Sequence, residues 1–250
     1  MDVLRRNNVA VTGPLDGRPI VFAHGFGCDQ NMWRYVAPAF AATHRVVLFD
    51  HVGAGGSDLS AYDPGRYASL QAYADDVRAI CAALELRDVV FVGHSVSAMV
   101  GVLAAADEPE RFGALVLVGP SPRYLDDEGY TGGFTREDVD GLLESLESNY
   151  LGWSSAIAPV IMANPARPEL GMELTESFCR TDPEIQAQFA RTTCLADNRQ
   201  AWELSSDGTY TQRRPGKGEM VYSTHVALLR DPWGLVTSRD TPRSAPRVQG

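Results

Sequence analysis

Lysine occurs once in this chain of 250 residues, at Lys217, and 22 Lys and Arg face 32 Asp and Glu, a net charge of −10. A surface so poor in positive charge argues against nucleic acid or an anionic membrane as the main partner. Cysteine is sparse too. Cys28, Cys81, Cys179 and Cys194 lack metal-ligand spacing, so the expectation is no metal site and reduced thiols in a cytoplasmic protein. No apolar run approaches the length of a membrane span. The opening residues, Met1 to Asn8, carry no apolar stretch after Arg5 and Arg6, so no secretory leader is expected.

Another scarcity is local. All nine Phe and all five Ile lie before residue 200, and the charge balance reverses there, from a net −12 over 1–200 to +2 over 201–250. The last fifty residues are rich in Arg, Ser, Thr, Pro and Gly, a composition that resembles a poorly ordered segment. A boundary near residue 200 follows.

Before that boundary, short β-branched runs alternate with helical stretches. Pro19–Ala23, Arg45–Asp50, Val89–Val92 and Ala114–Val118 read as buried parallel strands. Asn31–Ala42, Leu70–Leu84 and Ala98–Ala106 read as helices between them. That alternation predicts right-handed crossovers and an α/β, mostly parallel, doubly wound sheet. From about Tyr124 to Asn198 the strand signal gives way to helical spacing. One helix opens at Thr135 with Val139, Leu142, Leu143 and Leu146 on one face. A second runs from Tyr150 to Met162, ended by Pro165 and Pro168. Asp182-Pro183-Glu184 starts a third, through Ile185, Phe189 and Thr192. An all-helical insertion after the sixth strand of such a sheet is expected to form a lid over the strand ends. The division expected is a core over 1–123, a lid over 124–198 and an atypical segment over 199–250.

The strongest chemical signal is Val89-Val90-Phe91-Val92 followed by Gly93-His94-Ser95-Val96-Ser97: an apolar strand, a tight turn carrying a serine, and a small-residue helix start. This is the pattern of a nucleophile elbow, G-x-S-x-G with Ser97 in the last place. A serine hydroxyl needs a base to take its proton and donors for the oxyanion that forms. The glycine-flanked loop His24-Gly25-Phe26-Gly27 after the first buried strand supplies one donor, the Phe26 amide, and the amide of Val96 supplies the other. His24 reads as a structural residue that holds this loop. Asp50–Asp58 fails the spacing of a dinucleotide fingerprint, since Asp58 stands where the third glycine belongs, so it reads as a tight turn and no cofactor is expected. In this fold the chain order is serine, acid, histidine. His225 is the one histidine after the elbow and therefore the base by elimination; the alternative is a solvated residue. Asp207 is the nearest acid, and Asp197 a second choice.

These motifs resemble a branch of the α/β-hydrolase superfamily that holds the bacterial RsbQ-type stress-signalling hydrolases and the plant karrikin and strigolactone receptors. His24–Trp33 is similar to the branch's oxyanion loop, and Gly93–Ser97 to its elbow, including the final serine. Ser121-Pro122-Arg123-Tyr124-Leu125 matches the segment leading into its lid, and Asp197-Asn198-Arg199 the segment leading out. The resemblance implies a four-helix lid over an apolar pocket, with Phe26, Phe134, Leu142 and Trp153 at pocket positions; the alternative for each is lid core. It implies a small ester or lactone as ligand, hydrolysed or sensed, and a signalling phosphatase as partner for the RsbQ type. It also places the catalytic Asp and His near positions now held by Gly218 and Arg247. The match ends at about Arg199, which points to translation in a shifted frame or to a diverged terminus.

Overall fold

The computed structural model describes residues 2–127 and 130–195, with backbone alone for 194–195 and for the two short strands 202–204 and 210–212. A five-stranded sheet in the order β1-β3-β2-β4-β5 organises the first half of the chain. Its strands are β1 (Ala10–Thr12), β2 (Arg18–Ala23), β3 (His44–Leu48), β4 (Val89–His94) and β5 (Phe112–Val118). β2 lies parallel between β3 and β4, and β4 pairs in parallel with β5. Ile20, Val21, Phe22 and Ala23 are buried in succession, as expected of a strand covered on both faces. Only β1 runs antiparallel, pairing with β3 through Ala10 and Leu48.

The crossovers are helical. α1 (Val3–Arg6) precedes the sheet, α2 (Leu70–Ala83) joins β3 to β4, and α3 (Val96–Asp107) joins β4 to β5. The Ser69 side chain caps α2 by accepting from the Gln71 N–H, one of the donors a helix start leaves unpaired. The stretch read as one helix over Asn31–Ala42 is two 3-10 turns, Gln30–Trp33 and Ala37–Phe40. The reason is Pro38, which has no N–H to give and whose ring blocks the carbonyl four residues before it.

After β5 come four helices: α4 (Arg136–Ser148), α5 (Tyr150–Met162), α6 (Pro168–Phe178) and α7 (Pro183–Leu195). They follow the fifth strand among the described residues, not a sixth. Thr135 and Asp138 form a reciprocal capping box on α4, and the Asp182 carboxylate accepts from the Glu184 and Ile185 N–H groups at the start of α7. α6 is a helix that residue spacing did not mark, though the resemblance implied four helices here. Pro168, read from sequence as a breaker, is its first residue, where a missing N–H costs nothing. The last described pair, β6 (Trp202–Leu204) and β7 (Tyr210–Gln212), is antiparallel.

The main core lies between α2, α3 and one face of the sheet, with Val21, Phe49, Tyr73, Phe91 and Val100 fully buried. A second apolar cluster joins the four helices, and Phe26 packs against both. β5 is thinly covered: Val116 is 45% and Val118 41% exposed.

Candidate active site

The carboxyl ends of β2, β3 and β4 all deliver loops to one place, where ligands bind in open α/β sheets. Ser95 follows β4 and caps α3 with φ 56° and ψ −122°. A non-glycine residue here is strained by about 1–3 kcal/mol, a cost retained where surrounding packing imposes it. The packing that imposes it is visible at Gly93. A Cβ there would lie 2.4 Å from the Ser97 carbonyl oxygen and 2.7 Å from the Ala98 nitrogen. Only glycine lets strand and helix approach so closely.

The loop after β2, His24 to Gly27, runs against this turn. A Cβ on Gly25 would lie 2.4 Å from His94 Nδ1 and 3.3 Å from the Ser95 Cβ. Among the described residues neither the Phe26 N–H nor the Val96 N–H donates to a protein group. Val96 is also the first residue of α3, where the helix dipole favours negative charge. Unpaired backbone donors of this kind can hold an oxyanion when they converge on a reacting carbonyl.

Ser95 Oγ lies 3.3 Å from the Tyr124 hydroxyl, in the segment that leaves β5. Sequence reasoning placed Tyr124 in that segment without giving it a part in the site. The pairing is between residues far apart in sequence, and local pattern carries no signal for it.

Three histidines surround the loops. His24 and His51 are buried and in edge contact, with ring centroids 4.7 Å apart. His24 holds the loop, as expected: its Nδ1 meets the Gly25 carbonyl at 2.9 Å and its Nε2 accepts from the His51 N–H at 3.0 Å. Burial lowers the pKa of all three rings; at His24 the charges of Asp50 and Asp29 oppose this, and at His51 and His94 the nearby His24 adds to it. The turn after β3 winds round the Asp50 carboxylate, which accepts from the Gln30 and Gly56 N–H groups and from the Asn8 and Gln30 amides. The Cys28 thiol is pushed up to about 11, mainly by burial, so it is no thiolate nucleophile at neutral pH.

Of the residues expected to line a pocket, the structure brings two rings together and a third residue near them. Phe26 meets Trp153 edge-on at 6.2 Å, and both contact Phe178. Leu142 packs against the same cluster. Phe134 does not join them. It is 42% exposed, and its backbone pairs with Tyr124 and Asp126 before α4 begins. Phe178, buried against Phe26 and Trp153, is a further ring of this cluster that the sequence reading omitted. Asp207, His225 and Asp197 lie outside the described residues.

A family model described as alpha/beta hydrolase fold matches residues 18–205. The chain belongs to that family. Among curated proteins it is 40% identical over 193 residues to a probable esterase of Oryza sativa subsp. japonica, covering 77% of this chain and 71% of that one. It is 37% identical over 198 residues to a strigolactone esterase of Arabidopsis thaliana, covering 79% and 73%. Among solved structures, a hydrolase from Oleispira antarctica superposes with a TM-score of 0.74 at 41% identity, covering 77% and 71%. Within the family, the chain falls in the branch of strigolactone and karrikin receptor-like proteins. No helix among the described residues is long and apolar enough to cross a membrane.

Proposed function

We propose that this protein is a serine hydrolase acting on a small apolar ester or lactone. Ser95 is the nucleophile, and the Phe26 and Val96 amides form the oxyanion hole. The observation that carries the proposal is the strained Ser95 backbone between β4 and α3, together with two N–H groups, of Phe26 and Val96, that have no protein acceptor among the described residues. In the reaction Ser95 Oγ attacks the acyl carbon while a base takes its proton. The carbonyl oxygen becomes an oxyanion held by the two amides. Collapse expels the alkoxide, which takes that proton, and water then hydrolyses the acyl-serine by the same steps. His225 is the base in this reading and Asp207 its orienting acid. Residues 1–123 form the core, 124–198 the helical lid and 199–250 an atypical segment. Phe26, Leu142 and Trp153 line the acyl pocket under the lid, with Phe134 at its margin. The biological setting is cytoplasmic stress signalling of the RsbQ kind, with a phosphatase as protein partner and no cofactor, nucleic acid or membrane involved.

A second reading is a ligand-binding signalling protein with an incomplete triad. It is favoured by relatives named as receptors, such as the karrikin insensitive 2 receptor CA of Petunia hybrida, 40% identical over 193 residues. Turnover of p-nitrophenyl acetate and labelling by a fluorophosphonate probe separate the two. Hydrolysis and labelling, both abolished in Ser95→Ala, support the enzyme; loss in His225→Ala supports that base. Activity that needs Ser95 but not His225 leaves the triad incomplete. Neither turnover nor labelling in the wild type sinks the hydrolase.

A further inference from the structure

The last residue of the elbow, Ser97, stands where the turn usually carries glycine, and its side chain is not idle. It is fully buried. Its Oγ lies 2.5 Å from the His24 carbonyl oxygen and 2.7 Å from His51 Nε2. Those contacts join the loops after β2 and β3 to the first turn of α3.

The protons in this network have one consistent assignment. A carbonyl only accepts, so the Ser97 hydroxyl spends its single hydrogen on His24. His51 Nε2 must therefore carry a hydrogen and donate it to Ser97 Oγ. That leaves His51 Nδ1 bare, and it is indeed buried with no partner. The His51 peptide N–H donates to His24 Nε2, so His24 carries its hydrogen on Nδ1 and donates to the Gly25 carbonyl.

The Gly25 carbonyl shares a peptide plane with the Phe26 N–H. That carbonyl accepts from His24 Nδ1 at 2.9 Å and from the Cys28 N–H at 3.2 Å. In a planar trans peptide the N–H points opposite to the C=O, so fixing one fixes the other. The preceding peptide is fixed by Ser97 through the His24 carbonyl. Both peptide planes that set the direction of the Phe26 N–H are thus pinned, one by the elbow's own helix and one by the His24 ring.

We propose that Ser97 is a positioning residue for the oxyanion hole, its hydroxyl anchoring the root of the Phe26 loop to the elbow while His51 anchors the hydroxyl. This rests on the hydrolase reading given above for its kinetic consequence, though not for its structural one. Ser97→Ala removes both contacts and leaves the His24 carbonyl and His51 Nε2–H buried and unpaired. Ser97→Gly does the same with the residue most common at this place.

The test compares the full chain with both variants, using Ser95→Ala as the blank. Hydrolysis of p-nitrophenyl acetate should fall about ten- to a hundredfold in kcat with KM within about twofold, because a misaimed amide weakens the transition state rather than ground-state binding. NMR of 15N-labelled protein reads the structural claim independently of turnover. Wild-type His51 should show the Nε2–H tautomer, and the Phe26 amide resonance should move in both variants. Unchanged kcat in the variants, or an unmoved Phe26 amide, overturns the proposal. If both variants fail to fold, the wild-type spectrum decides: an Nδ1–H tautomer at His51 overturns it and an Nε2–H tautomer supports it. A wild type no more active than Ser95→Ala defeats the hydrolase reading, and the NMR results then decide the positioning role alone.

Discussion

Gly27 and Phe178 form a lock between the loop after β2 and the helices, and its strength can be measured. Gly27 has φ +70°, and a Cβ there would lie 1.8 Å and 2.2 Å from two carbons of the Phe178 ring. An alanine at Gly27 therefore meets two costs. Left-handed backbone costs an L-residue about 1 kcal/mol. The ring must also retreat by roughly 1.5 Å to restore van der Waals separation. It has little room to do so, packed at 6.0 Å from Phe26 and 5.2 Å from Trp153. Overpacking of this kind costs about 1–3 kcal/mol, so Gly27→Ala should lose about 2–4 kcal/mol. Phe178→Ala empties the space and should lose about 3–5 kcal/mol. In the double variant the clash is gone and the new methyl fills part of the cavity. Its loss should fall short of the sum by about 1–3 kcal/mol, the overpacking contribution. Urea unfolding followed by tryptophan fluorescence, with Trp153 beside the ring, reads all four proteins. Losses that add to within about 0.5 kcal/mol refute the lock.

Ser95→Gly should relieve the elbow strain, raising stability by about 1 kcal/mol and Tm by about 2–4 °C while abolishing hydrolysis; a lowered Tm contradicts the strain. His24 and His51 are neutral in the fold, with pKa values lowered by burial. The unfolded rings take protons below about pH 6.5, so this stability is complete above that pH and is lost as pH falls below it. Urea midpoints should drop over that range, less in His51→Phe than in wild type; equal drops contradict the assignment. Asp76 is buried and accepts from Arg6 and Arg66 at 2.5 Å and from the Tyr67 hydroxyl at 2.7 Å. Asp76→Ala should cost about 3 kcal/mol, mostly by stranding Arg6 and Tyr67, since Arg66 is partly solvated; a loss under about 1 kcal/mol would show the cluster to be dispensable.

What could be read from sequence was local. Val89–Val92 with Gly93 and Ser95 announced strand, turn and helix start because the pattern is packed into a few neighbouring residues. Tyr150–Met162 is bounded as expected, and Asp182-Pro183 marked the start of α7. Proline was misjudged twice, in opposite senses. Pro38 broke a helix that periodicity suggested, and Pro168 began one where a break was expected; proline's effect depends on whether its absent N–H was needed. β1, three residues with a half-buried centre, carries too little pattern to register. The network of Ser97, His24 and His51 spans 73 positions at its widest hydrogen bond. Only the crossing of three strand ends brings it together, and periodicity does not report which loops converge.

Phe26 serves two masters. Its amide has no protein acceptor among the described residues, while its ring is held at 6.2 Å by Trp153 and at 6.0 Å by Phe189. A guest wedged between those rings would turn the Phe26 side chain about its Cα–Cβ bond and leave the amide where the held Gly25 and His24 carbonyls fix it. The ring can then adapt to the bulk of a guest while the backbone keeps its aim, so that a change of fit and a change of donor geometry need separate mutations.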